Sequence, residues 1–148
     1  MSCVTFLTAA QRAALRDLGE EQLTPDEITA LHPSPPATEG KLRRVRLLAR
    51  SSDPAIRQSA ALNQHCPLDV LQLLADDSDP TVRRCVARQP ATPEALLWQL
   101  ASDPTSDVRA WVAAHPAVTP ELLDRLDSDP EPAVRRVVAW SRAWHRPA

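Results

Sequence analysis

Asp107-Val108-Arg109-Ala110-Trp111-Val112-Ala113-Ala114-His115-Pro116-Ala117-Val118-Thr119-Pro120-Glu121-Leu122-Leu123 holds the plan of the fold in one stretch. A Val-Arg pair opens it, a Pro-containing turn divides it, and a Thr-Pro-Glu start leads into paired leucines. Arg109 has counterparts at Arg57, Arg83 and Arg135, each 26 residues from the next. The same step relates Ile56 to Val82, Val108 and Val134, Ala61 to Ala87, Ala113 and Ala139, and Leu48 to Leu74, Leu100 and Leu126. Several registers repeating together identify internal structural repeats.

Each unit reads as two helices. The first opens near an Asp-Pro pair, seen at Asp53-Pro54, Asp79-Pro80, Asp103-Pro104 and Asp129-Pro130. Asp caps a helix N-terminus and Pro suits the first helical position, where its missing N–H costs nothing. Relative to the Arg, the last two pairs stand two residues earlier than the first two, so the helix starts are expected to differ between copies. Val82 and Val86, at i and i+4 with Cys85 beside them, form the apolar stripe of this helix. The second helix is announced by Thr92-Pro93-Glu94-Ala95 and Thr119-Pro120-Glu121-Leu122, with a capping Thr and an acid near the positive helix end. Leu96, Leu97 and Leu100, and then Leu122, Leu123 and Leu126, are its buried side. Helices this short do not stand alone in water. Each unit therefore hides its apolar face against its neighbours, which gives an all-α solenoid with one continuous core.

Composition agrees with helices joined by Pro-marked starts: of 148 residues 43% are hydrophobic, with 15 Pro against 2 Gly. Seventeen basic and 19 acidic residues leave a net charge of −2, which removes the argument a strongly basic domain would offer for polyanion binding. Cys3, Cys66 and Cys85 include no CxxC pair, so reduced thiols are expected and neither a disulfide framework nor a zinc site is indicated. No long apolar run and no basic leader mark the start, and the expected location is the cytoplasm.

The run from Asp107 to Leu123, and the stretch from Asp79 to Ala101, resemble the leucine-rich repeat variant family, whose units read VRxxVAxxPxTPxxLLxxLA. The likeness extends over roughly Leu47 to Ser141, and the Asp-x-Val-Arg element is similar to that of HEAT repeats. The resemblance implies a right-handed superhelix in which an α-helix alternates with a shorter α or 3-10 helix. Some members of the family carry an N-terminal cysteine cluster holding iron and sulfur. This chain has only Cys3 in that region, so no cofactor is carried over. The first copy departs from the pattern with Gln64 in place of Pro90 and Pro116, and with Cys66-Pro67 for Thr-Pro, so a distorted turn is expected there.

Residues 1–40 fall outside the repeats. Thr8 to Leu18 reads as a helix, Thr24-Pro25-Asp26-Glu27 starts another, and Pro33-Ser34-Pro35-Pro36-Ala37 reads as a stiff connector. The expected organisation is a helical cap and connector over 1–40 and a solenoid of about four repeats over 41–148, the first and last incomplete.

The Arg ladder at 57, 83, 109 and 135 could track phosphates or an acidic peptide. The stronger reading is structural: each Arg adjoins a buried Val or Ile and an Asp-rich turn, where Asp53, Asp79, Asp107 or the preceding unit's acids can accept its donors. Residues that the repeat does not require are the better partner-binding candidates, namely Arg84, Arg88, Arg136, Trp98, Trp111, Trp140 and Trp144. A solvated face remains the ordinary account of the arginines, and packing that of Trp98 and Trp111. Trp140 and Trp144, four apart, fit either a cover for the core's end or a partner contact. His32, His65, His115 and His145 show no metal-ligand or acid–base spacing, and His115 reads as a polar turn residue. With no phosphate loop, nucleophile elbow or carboxylate cluster, the sequence points to a non-catalytic module for protein–protein interaction or scaffolding. The alternative is a nucleic-acid binder using Arg43, Arg44, Arg46, Arg50, Arg84, Arg88 and Arg136. No membrane contact is expected. The molecule is expected to be a monomer or a weak homodimer through the C-terminal end.

Overall fold

The computed structural model describes residues 37–144; the expected helices before residue 33, together with Cys3, His32 and His145, lie outside the described residues. Eight α-helices and no strand appear among the described residues. They are α1 (Glu39–Leu48), α2 (Pro54–Ala61), α3 (Leu68–Ala75), α4 (Pro80–Arg88), α5 (Glu94–Leu100), α6 (Ser106–Ala113), α7 (Pro120–Asp127) and α8 (Pro132–Trp144). Helices α2, α4, α6 and α8 pack on one another in succession as a first layer. In the second layer α3, α5 and α7 each bridge two consecutive first-layer helices, and α1 packs on α2. This is the helical-repeat solenoid. Its shorter helices are α-helical, which settles the choice between α and 3-10 left by the sequence.

The core is the aliphatic stripe read from the repeat. Val82, Val86, Val108, Val112, Val134 and Val138 have no exposed surface, and Leu71, Leu74, Leu97, Leu100, Leu122 and Leu126 are equally sealed. Ile56 departs from its register and is 38% exposed. It sits on α2, which has no first-layer helix before it among the described residues, so one of its sides has no cover.

Helix starts keep the 26-residue step more strictly than the dipeptides do. The first-layer caps are Asp53, Asp79 and Thr105, with Glu131 in the same place before α8. Asp53 and Asp79 accept from the N–H of Ala55 and Thr81, as capping residues do. Asp103 and Asp129 are not caps: their helices begin at Ser106 and Pro132, and both acids stand two residues before the cap position, as Asp77 does. The second layer shows the same slip. Its caps are Pro67, Pro93 and Thr119, and only Thr119 caps through its side chain. Thr92, expected as a cap, is buried and donates to Val86 O at 2.6 Å. The turn of the first copy is not distorted. Cys66 N donates to Asn63 O at 2.9 Å, as Thr92 N does to Gln89 O at 2.9 Å and Val118 N to His115 O at 3.0 Å, so neither Gln64 nor Cys66 alters it.

The ladder arginines explain the acids. Arg57, Arg83, Arg109 and Arg135 each stand at the fourth position of a first-layer helix. Helical side chains lean towards the N-terminus, so each guanidinium reaches the loop before its own helix. There Arg83 Nη1 donates to Asp77 O at 2.7 Å and Ser78 O at 3.3 Å, and Arg109 Nη1 to Asp103 O at 2.8 Å and Pro104 O at 3.2 Å. The carboxylate partner comes from the following unit, 20 residues on. Arg57 grips Asp77 at 2.7 and 2.9 Å, Arg83 grips Asp103 at 2.7 and 3.0 Å, and Arg109 grips Asp129 at 2.7 and 2.9 Å, each through Nε and Nη2. The acceptors are therefore not Asp53, Asp79, Asp107 or the preceding unit's acids. Capping occupies Asp53 and Asp79, and Asp107 lies exposed 4.0 Å from Arg84. Each ladder Asp also accepts the N–H two residues on, at 2.8–2.9 Å, in an Asx turn that leads into the next helix.

The opposite ends of the first-layer helices are stitched too. Gln89 Nε2 donates to Ala61 O and Asn63 O, both at 2.9 Å, reaching back to the C-terminus of α2. His115, in the same place one unit on, donates from Nε2 to Gln89 O at 2.9 Å and accepts Ala117 N–H on Nδ1 at 3.0 Å. Those contacts assign the Nε2–H tautomer and occupy both ring nitrogens.

The guanidinium of Arg57 holds the Asp77 carboxyl below its ordinary range, and Arg109 does the same for Asp129. Burial pushes Asp103 up, but the bonds from Arg83 and from Thr105 N–H outweigh it and leave its carboxyl lowered. A carboxyl lowered by folding stabilises the native state above its unfolded value of about 4 and loses that contribution as pH falls through its folded value. Urea midpoints are therefore expected to hold from neutral pH down to about 4 and to drop below it; a midpoint unchanged to pH 2.5 would contradict the ladder's role. In Asp103→Ala, which leaves Arg83 unpaired with its side chain 13% exposed, unfolding free energy should fall by roughly 3–5 kcal/mol at pH 7. Leu100→Ala opens a cavity in the core and should cost about 2–5 kcal/mol, read as a lowered melting temperature; no change in melting would mean that Leu100 is not a core residue.

Candidate functional site

Because the first-layer helices repeat every 26 residues, their positions off the core stripe fall into rows: Gln58, Arg84, Ala110, Arg136; Ser59, Cys85, Trp111, Val137, of which Cys85 is itself buried; and Leu62, Arg88, Ala114, Trp140. The core valines occupy the inward positions, so these rows vary without disturbing the stack. Gln58 and Leu62 of α2, Arg84, Cys85 and Arg88 of α4, and Trp111 of α6 line one concavity of about 310 Å³. Across it the Arg88 guanidinium lies over the Trp111 ring, 5.2 Å from its centroid. This cation–π contact holds both side chains in place while leaving them at the surface. Gln58 Nε2 donates to Thr81 Oγ1 at 2.8 Å and anchors the edge of the concavity.

Of the residues singled out in the sequence, Arg84, Arg88, Trp111, Arg136, Trp140 and Trp144 are on first-layer helices, whereas Trp98 is on α5 in the second layer. Trp98 Nε1 donates to Glu94 at 3.2 Å, one turn back on its own helix. Trp140 and Trp144 stack with centroids 5.9 Å apart and an interplanar angle of 22°. They are 55% and 73% exposed, so the pair does not seal the core's end. Arg136 occupies on α8 the place of Arg84 and makes no ion pair among the described residues. Leu62, 44% exposed, belongs to the face and was not singled out; aligning it with Arg88 and Trp140 at the 26-residue step is the signal that finds it. Cys85 forms part of the floor, and burial raises its thiol pKa; the same effect pushes Cys66 up to about 11, so both thiols stay protonated near neutral pH.

The basic residues of α1 divide between two directions. Lys41 and Arg44 border that face at Ser59 and Leu62 of α2, whereas Arg46 is drawn away to Asp69 of α3 at 2.8 and 3.3 Å. Among the described residues no group of three or more His, Cys, Asp or Glu could hold a metal ion, and no helix is long and apolar enough to cross a membrane.

Residues 84–142, from the middle of α4 into α8, match the family model described as Leucine Rich Repeat Variant domain. Over this stretch the chain is similar to a leucine-rich repeat variant domain. No curated protein and no solved structure matches the chain. The leucine-rich repeat variant match covers the Arg109–Asp129 rung and only the Asp103 half of the rung before it, together with the Trp111 and Trp140 positions of the outward face.

Proposed function

We propose that this chain is a non-catalytic scaffold that holds a protein partner on the outward face of α4, α6 and α8. The carrying observation is the Arg88–Trp111 pair beside Arg84 and Leu62. Guanidinium and indole are the groups that most often dominate protein interfaces, and here they are ordered before any partner arrives, which lowers the entropy lost on binding. Trp140 and Trp144 continue the apolar contact along α8, with Arg136 beside them. The partner is expected to bring an apolar side chain to the Trp111 concavity and a carboxylate to Arg84 or Arg88.

A nucleic-acid strand suits these positions less well. Following a phosphate backbone takes a row of cations with one orientation. Arg46 is spent on Asp69, Arg84 stands beside Asp107, and Ala110 interrupts the row between Arg84 and Arg136.

Affinity capture on the full chain, with nuclease present and recovery read by mass spectrometry, tests this reading. The wild type should retain proteins that the double variant Arg88→Ala, Trp111→Ala loses by about thirtyfold, the equivalent of a hot-spot side chain. Equal recovery by wild type and variant would remove the face, and recovery abolished by nuclease would move nucleic-acid binding ahead of it.

A further inference from the structure

Two neighbouring concavities carry cations and no acid. The one of about 310 Å³ holds Arg84, Arg88 and Trp111. A wider one of about 710 Å³ lies between α1 and α2, where Lys41 and Arg44 stand beside Val45, Leu48 and Ser59. Leu62, 44% exposed, borders both and makes them continuous. The chain as a whole has 17 basic and 19 acidic residues, so four cations lining this groove without one carboxylate reverse its net charge of −2 locally.

These cations are also free to meet a ligand. Lys41 and Arg44 are exposed, and their side chains make no ion pair or hydrogen bond among the described residues. Arg88 presents the face of its guanidinium to the Trp111 ring at 5.2 Å, and its N–H donors lie in the plane of the group, clear of that contact. Arg84 comes only within 4.0 Å of Asp107, whose side chain is 74% exposed. Lys41 and Arg44 are spaced i, i+3 and Arg84 and Arg88 i, i+4, so each pair shares one face of its helix. Arg46, which does meet Glu39 and Asp69, lines neither concavity.

Helix α1 packs on α2, α2 on α4 and α4 on α6. Three such steps of about 8–10 Å give a path of about 24–30 Å, the reach of roughly eight residues of extended chain. We propose that this groove takes an acidic, extended segment of the protein partner. The segment sets carboxylates against Lys41 and Arg44 at one end and against Arg84 and Arg88 at the other, and lays an apolar side chain on Leu62. Opposite charges fix its register and burial of Leu62 adds affinity. The inference rests on the face proposed above and extends it across α2 to α1.

A single-stranded nucleic acid brings the same charge but needs aromatic faces on which its bases stack. Here Arg88 lies over the Trp111 ring, and Leu62 is aliphatic. A second copy of this chain is a poorer occupant through its described acidic runs, because their carboxylates are engaged: Asp76 with Gln99, Asp77 with Arg57, Asp79 with Thr81, and Asp124 and Asp127 with Arg142.

The test uses the full chain and a fluorescein-labelled octapeptide, Glu-Glu-Leu-Glu-Glu-Leu-Glu-Glu, with binding followed by anisotropy. Saturable binding is expected, weakened about tenfold by Lys41→Glu with Arg44→Glu and about as much by Arg84→Glu with Arg88→Glu. Glutamines in place of the peptide's glutamates should abolish binding, and alanines in place of its leucines should weaken it severalfold. Neither change touches the protein, so a folding defect cannot imitate it. Arg50→Glu with Arg125→Glu alters the net charge equally at exposed positions outside both concavities and should leave affinity unchanged. An equal loss from that control pair would overturn the proposal, as would indifference to Lys41→Glu with Arg44→Glu. The latter result leaves the Trp111 face standing, whereas capture unaltered by Arg88→Ala with Trp111→Ala removes that face. An oligothymidylate that displaces the labelled peptide at lower concentration than unlabelled peptide does would overturn the proposal in favour of nucleic acid. Affinity raised about tenfold when Glu20, Glu21, Asp26 and Glu27 are changed to Gln or Asn would overturn it in favour of this chain's own acidic stretch.

Discussion

The stack depends on a guanidinium placed one turn inside a helix and directed back past that helix's start. A cation beside the positive end of a helix is unfavourable by itself. The carboxylate arriving from the next unit offsets that cost, and two backbone carbonyls take the remaining donors, so each Arg binds its own loop and its neighbour's together. The aliphatic core supplies burial without direction, because Val and Leu pack acceptably in more than one arrangement. The rungs supply direction, since a planar fork meets a carboxylate in one geometry only. Gln89 and His115 do the corresponding work at the other ends of the first-layer helices.

Holding the units at both ends frees the outward positions of the first layer. The same row can then carry Leu62, Arg88, Ala114 and Trp140 without change to the helices beneath it. Partner recognition and stability are thus written on different residues of the same helix: Arg83 holds the stack, while its neighbour Arg84 and the next-turn Arg88 face outward.

Much of this was legible in the residues. The 26-residue step, the two helices per unit, the valine and leucine stripes and the structural character of the ladder all follow from spacing and side-chain type. The partners of the ladder did not. Asp79-Pro80 and Asp103-Pro104 look alike, yet Asp79 caps its helix and Asp103 closes the rung of Arg83. Thr92-Pro93 and Thr119-Pro120 differ in the same manner, one Thr bonding back to Val86 and the other capping α7.

What the sequence determined by itself is therefore whatever depends on neighbours within a helix or two: the periodicity and the apolar face. What only the tertiary structure decided is which acid meets which Arg, which Asp or Thr caps a helix, and which tryptophans share a face. Those pairings join residues 20 or more apart that approach only when one unit settles on the next. Two dipeptides of identical local chemistry are then told apart by a shift of two residues against the stacking period.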